Sequence, residues 1–180
     1  MRVELDGEPW RTLPAAAVVE TRLVVGTELT RERARELGRE LRRQEALFHA
    51  TRAVTHRARS VASVGATLER RGIRSAERVA ALGALERLGY LDDARFAAGR
   101  AAVLAERGYG DEGIRYELER EGIAGEVITG AIGGLQPERM RADAIAARSG
   151  RTAKTARRLL VKGFSEESVE ASIDSFLAAD

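Results

Sequence analysis

The chain has no cysteine among its 180 residues. That excludes a disulfide framework, thiolate catalysis and cysteine-ligated metals, and it fits a reducing, cytoplasmic setting. Aromatic residues make up only 4% of the sequence. A core built mainly from Ala, Leu, Val and Ile suits thin, closely packed helices better than a thick sandwich, so the composition leans all-α. Long apolar runs are also missing. No stretch approaches the roughly 20 apolar residues that cross a bilayer, and no apolar leader opens the chain, so a soluble, non-secreted protein is expected. The only two histidines, His49 and His56, stand seven apart without further ligand residues in a metal-binding pattern, so no metal or cofactor is expected.

What is present is repetition. Leu68-Glu-Arg-Arg-Gly72-Ile73, Leu118-Glu-Arg-Glu-Gly122-Ile123 and Leu159-Leu-Val-Lys-Gly163-Phe164 are one pattern written three times. The leucine anchors the last turn of a helix, the glycine takes the left-handed position after it, and the next apolar residue folds back onto the helix end. Each copy marks a helix stop, and the spacing suits units of about three short helices. Ten residues past these glycines stand Leu82, Ile132 and Ile173, and thirteen past stand Leu85, Leu135 and Phe176, so the register extends over a second helix.

The first thirty residues differ. Arg2-Val3-Glu4-Leu5 alternates, Asp6-Gly7 signals a type I′ turn, and Glu8 to Leu13 reads as a returning strand with Pro9 at an edge. A lone hairpin is marginal in water, which puts Leu5, Trp10 and Leu13 against another element. From Thr30, an N-cap, to about His56 the spacing of Ala34, Leu37, Leu41, Leu47, Phe48, Thr51 and Val54 predicts one helix or two. Ser60 and Ser75 are the expected caps of the next two helices, the second carrying Val79, Leu82, Leu85 and Leu88 on one face. Asp92 or Asp93 caps a helix with Phe96, Val103 and Leu104. Pro137, Thr152 and Ser165 open the last three helices, the final one with Val169, Ile173, Phe176 and Leu177 as its buried stripe.

The net charge is only +2, but charge is segregated. Basic runs hold Arg31 to Arg71 and Arg139 to Lys162, and acidic stretches surround Asp111 to Glu126 and follow Glu166. Arg57, Arg59, Arg70 and Arg71 flank the middle helix of the first unit, Arg115 and Arg120 lie on that of the second, and Arg157, Arg158 and Lys162 on that of the third. Their recurrence on equivalent helices predicts a shared basic contact stripe, with salt-sensitive contacts if it meets nucleic acid. Gly108-Tyr109-Gly110-Asp111-Glu112-Gly113 matches G-x-G-x-x-G, yet it lies between helices and carries two acids, so a helix-linking turn is expected rather than a dinucleotide site. Among Tyr90, Phe96, Tyr109 and Tyr116, packing positions dominate and Tyr109 is the expected exposed one.

The junction Gly89-Tyr90-Leu91-Asp92-Asp93-Ala94-Arg95-Phe96-Ala97, followed by Arg107-Gly108-Tyr109-Gly110, resembles the RecX family. Arg57-Ala58-Arg59-Ser60 leading to Leu68 and Gly72 is similar to that family's first repeat, and Val3 to Glu8 to its N-terminal hairpin. The resemblance implies an all-α protein of tandem three-helix, helix-turn-helix-like repeats in an elongated curved array with a small β-hairpin. Its segments would be 1–29, 30–90, 91–135 and 136–180. It further implies a non-enzymatic, monomeric, cytoplasmic regulator that binds the RecA–DNA filament, restraining filament extension, ATP hydrolysis and strand exchange in recombination, repair and the SOS response. Weak contact with single- or double-stranded DNA and no membrane contact go with it. Two other classes fit the residues: a helical nucleic-acid-binding protein using helix-turn-helix-like modules, and a helical adaptor for another protein.

Overall fold

The structure, a computed structural model, describes residues 1–174. Among them are ten helices and one two-stranded antiparallel sheet. The chain forms two compact units, one of Met1–Arg59 with Val64–Leu91, the other of Ser60–Ser63 with the chain from Asp92 onward.

In the first unit β1 (Arg2–Leu5) and β2 (Glu8–Thr12) are joined by Asp6 and Gly7, both at positive φ (53° and 84°), as a type I′ turn requires. Val3 pairs with Arg11 but Glu4 with Pro9, so Trp10 is the extra residue of a bulge. Of the three apolar hairpin residues expected to pack, only Leu13 is buried. Leu5 and Trp10 remain exposed, and the Arg11 guanidinium lies over the indole. After α1 (Ala15–Glu20), a single 25-residue helix, α2 (Arg31–Thr55), begins at Thr30, whose hydroxyl accepts the Arg33 N–H. Its buried face is Leu37, Ala46 and Ala50, and Phe48 points to solvent, contrary to the stripe expected from the larger side chains. α2 packs on α4 (Ser75–Arg87), with Arg42 paired to Glu77 at 3.0 Å. Helix α4 starts after Arg74 with no side-chain cap, so Ser75 does not cap it. Its buried residues are Ala81 and Leu85, while Val79 and Leu88 are exposed.

Helix α3 (Val61–Arg70) and, in the second unit, α6 (Asp111–Arg120) and α9 (Ala153–Val161) are the three middle helices. All three end alike. Gly72, Gly122 and Gly163 sit at φ 75°, 76° and 80°. The N–H groups of Ile73, Ile123 and Phe164 return to the carbonyls of Leu68, Leu118 and Leu159 at 3.1, 3.2 and 3.1 Å, and the glycine N–H groups bond to the residues after those leucines. This double closure is the Schellman motif, and every leucine and apolar partner in it is buried. Burying each such leucine contributes about 2 kcal/mol.

The second unit adds α5 (Asp93–Glu106) and α7 (Gly125–Gly133) around α6, then α8 (Glu138–Ser149) and α10 (Glu166–Asp174) around α9. One core gathers Ala97, Ala101, Leu104, Ile114, Leu118, Ile123, Ile128 and Ala131, and the other Ala142, Leu159, Phe164 and Val169. Val103 and Met140 are exposed. Phe176 and Leu177 lie outside the described residues. Asp92 is the cap of α5, accepting the Arg95 N–H at 2.9 Å, and Thr152 and Ser165 cap α9 and α10 as expected.

The glycine-rich loop between α5 and α6 is a packing device. Gly110 N–H donates to the Lys162 carbonyl at 2.9 Å and Glu112 N–H to the Gly163 carbonyl at 3.1 Å. A Cβ on Gly163 would lie 2.2 Å from the Gly113 nitrogen, whereas one on Gly72 meets nothing within 4 Å. Gly72→Ala therefore carries only the left-handed backbone cost, about 1 kcal/mol. Gly163→Ala must in addition push two backbones apart, for a loss of about 3 kcal/mol or more. Urea unfolding of both variants checks this, and equal losses would contradict it.

Candidate functional site

Within the second unit the same junction is built twice. In one, the Ser60 hydroxyl accepts the Ser63 N–H at 3.1 Å and donates to the Glu121 carbonyl at 2.6 Å, next to the Gly122 stop. The Val61 N–H donates to Asp93 at 2.8 Å. In the other, residues 110–113 sit on the Gly163 stop, and the Asp111 N–H donates to Glu138 at 2.7 Å. Asp93 and Glu138 each stand at the start of a helix, α5 and α8, and each accepts from the first N–H of a middle helix. That N–H has no intrahelical partner, so a carboxylate there satisfies a donor and meets the positive end of the helix dipole. Asp92 and Asp93 thus divide two capping tasks between them.

The second junction carries more charge. Glu138 also accepts from the Ser165 hydroxyl at 2.6 Å and its N–H at 3.1 Å. Arg141, a buried cation, donates to the carbonyls of Gln136 (3.0 Å) and Tyr109 (2.8 Å), pairs with Asp111, and lies over the Phe164 ring. Burial raises the Asp111 carboxyl above its ordinary value, and the charges of Glu138 and Glu112 add to this against the opposing pull of Arg141. For Glu138 burial works in the same upward direction, but the hydrogen bonds from Ser165, the Asp111 N–H and Ser168 outweigh it and hold this carboxyl below its usual range.

The expected contact residues fall in both units. Arg57, Arg70 and Arg71 are exposed in the first, and Arg59 is half-buried there, its guanidinium on the Thr67 hydroxyl at 3.0 Å. In the second, Arg115 pairs with Glu112 at 3.6 Å, and Arg120 pairs with Glu117 at 3.3 Å while lying over the Tyr116 ring. Arg157 is exposed, Arg158 donates to the Ser149 hydroxyl at 2.9 Å, and the Lys162 ammonium sits 3.7 Å from the centre of the Tyr109 ring. Counted from the stop glycines, Arg70 matches Arg120 and Arg71 matches Lys162, but Arg115, Arg157 and Arg158 have no basic counterpart at their own steps. The aromatics reverse the expectation: Tyr109 packs on the α5–α7 core beneath Lys162, while Tyr90 and Tyr116 are about 60% exposed. Two further cations, Arg107 and Arg148, share an open cleft with Arg158 and Lys162 and were missed. Their signal in the sequence is a basic residue directly before, or two before, a helix-ending glycine.

The junction makes stability pH-dependent in a defined direction. A carboxyl held low in the folded state contributes stability above its unfolded pKa and loses it as pH falls through the folded value. Glu138→Gln is therefore less stable than the parent at pH 7, and the gap narrows as the pH drops below about 4. Asp111, raised on folding, acts with the opposite sign, so Asp111→Asn does not narrow the gap on acidification. Circular dichroism melts from pH 7 to pH 3 measure both, and a pH-independent deficit in Glu138→Gln would contradict the assignment.

Residues 92–132 match the family model described as RecX, second three-helix domain. No curated protein matches the chain in sequence. A crystal structure of the regulatory protein RecX has a similar fold, with a TM-score of 0.79 and 19% identity over 99% of this chain and 92% of that one. The crystal structure of RecX from Lactobacillus salivarius is similar at a TM-score of 0.67 and 17% identity, over 76% of this chain and 97% of that one. Among the described residues no helix is long and apolar enough to cross a membrane. Residues 92–132 thus match a RecX three-helix domain, and the chain shares its fold with solved RecX proteins.

Proposed function

We propose that this chain is a regulatory protein that binds the RecA–DNA filament and restrains its activities, acting by binding rather than by catalysis. The observation that carries this reading is the RecX three-helix domain at residues 92–132. The surface chemistry agrees with it. Cations of the middle helices alternate with acids such as Glu112, Glu117 and Glu119, which suits a partner of mixed charge better than a bare polyanion. Several modest contacts along repeated helices engage a repeating partner, with charge setting register and association rate.

The contact residues in this reading are Arg57, Arg59, Arg70, Arg71, Arg115, Arg120, Arg157, Arg158 and Lys162. ATP hydrolysis by RecA on single-stranded DNA falls when this protein is added at or below one copy per RecA. Unchanged hydrolysis, together with tight duplex binding that weakens steeply with salt, favours the helix-turn-helix DNA-binding reading instead. Arg115→Glu combined with Arg157→Glu and Arg158→Glu weakens filament binding by about tenfold, roughly 1.4 kcal/mol, with the thermal midpoint little changed. Unaltered affinity would remove these residues from the contact surface.

A further inference from the structure

The hairpin of the first unit is a sheet with open edges. Two strands by themselves are marginal in water, and among the described residues no third strand joins β1 and β2. Every residue of the two strands except the half-buried Val3 is exposed, and Met1 at 62% with Leu5 and Trp10 each at 40% leaves apolar surface in water. The two edges are not equivalent. On β2, Pro9 has no N–H to offer and Trp10 forms the bulge, two devices that keep an edge from pairing. β1 has neither. Met1 and Leu13 exchange hydrogen bonds at 2.6 and 2.8 Å, so in the alternating ladder Val3 also faces inward, to Arg11. The N–H and C=O groups of Arg2 and Glu4 therefore point outward.

Charge decides what can pair there. Arg2 and Glu4 are exposed, stand two residues apart and so share one face of the strand, and neither has an ion-pair partner among the described residues. Charge on an edge strand ordinarily keeps copies of a protein apart. This edge carries one charge of each sign, so it complements itself. A second β1 laid antiparallel can bring the outward-facing residues together in three registers: Arg2 opposite Arg2, Glu4 opposite Glu4, or each Arg2 opposite the other's Glu4. The first two set like charges directly across from one another, which is unfavourable, and the third makes two pairs of opposite charge. Only that register is favoured. It is centred on Val3, which meets Val3 of the second copy at the close, non-hydrogen-bonded spacing, and it joins the two hairpins into one four-stranded sheet.

We propose that the outer edge of β1 pairs antiparallel with the same edge of a second copy of this chain, Arg2 of each against Glu4 of the other. A self-pairing chain differs from the monomer that the resemblance to RecX implies. The contact is smaller than the roughly 1,200 Å² of a stable interface, so the dissociation constant is on the order of 100 µM. Sedimentation velocity of the full chain, with nothing added ahead of Met1, follows association to about five times that concentration, where most of the protein is paired. Arg2→Glu alone, or Glu4→Arg alone, turns both pairs into like-charge pairs, and each weakens association at least about tenfold. Arg2→Glu combined with Glu4→Arg restores it to within about threefold of the parent, since the pairs are again of opposite sign. An equimolar mixture of the two single variants associates as the parent does, because every pair in the mixed dimer is then of opposite charge. Circular dichroism melts confirm that each variant folds. The proposal is overturned if the parent sediments as a monomer throughout, which leaves the edge to a strand of another protein. It is equally overturned if a single variant associates like the parent, which places the self-contact elsewhere, or if the charge swap or the mixture fails to restore association. The test contains no RecA, so this proposal and the proposed function can fail separately.

Discussion

Two backbone hydrogen bonds, from Gly110 to Lys162 and from Glu112 to Gly163, hold the start of α6 on the stop of α9. They form only because three glycines, Gly110, Gly113 and Gly163, bring main chain against main chain with no side chain between. The charged groups of this junction are arranged around that approach. Glu138 and Arg141 satisfy the donors and acceptors that the close contact buries, and Lys162, whose carbonyl accepts the first bond, lays its ammonium on Tyr109. Residues 60–63 repeat the arrangement at Gly122 with different chemistry, a serine hydroxyl and a small Ala62 in place of glycine. The glycine stops are thus both the ends of helices and the seats on which other helices begin.

How much of this is legible without coordinates follows from what each residue does locally. A helix stop is written in a few consecutive residues, so the Leu-x-x-x-Gly-apolar pattern identifies the Schellman ends of the three middle helices, and the Asp6-Gly7 turn is read in the same way. Helix faces are written less plainly. The buried sides of α2, α4 and α5 rest on Ala46, Ala50, Ala81, Ala97 and Ala101, because small residues let helices approach closely, while the larger Phe48, Val79, Leu88 and Val103 stay outside. Periodicity weighted by side-chain size selects the wrong stripe in such a protein. Tyr109 escapes for another reason: it packs on the α5–α7 core beneath Lys162, a neighbour more than fifty residues away in sequence.

The candidate site divides in the same manner. Basic residues on the middle helices can be picked out in the sequence, but whether each is already engaged cannot. Arg115 and Arg120 have acidic neighbours one turn earlier, which leaves less of their charge for a partner, whereas Arg158 and Lys162 have none and share their cleft with Arg107 and Arg148. The G-x-G-x-x-G loop shows the converse. A pattern that suggests phosphate binding on a strand–helix turn serves here to let two loops touch. A surface on which some cations are paired with acids and others, such as Arg57, Arg70, Arg71 and Arg157, stand exposed suits a protein that meets a nucleoprotein, where protein and phosphate are both within reach.

The central claim is that the partner is the RecA–DNA filament as an assembly. Co-sedimentation of this protein with RecA filaments on single-stranded DNA, beside RecA without DNA and the same DNA without RecA, tests it most directly. The account predicts that the protein pellets with the filament at concentrations where neither component alone retains it to the same extent. Equal retention by bare DNA and by the filament, or none by the filament, would contradict it.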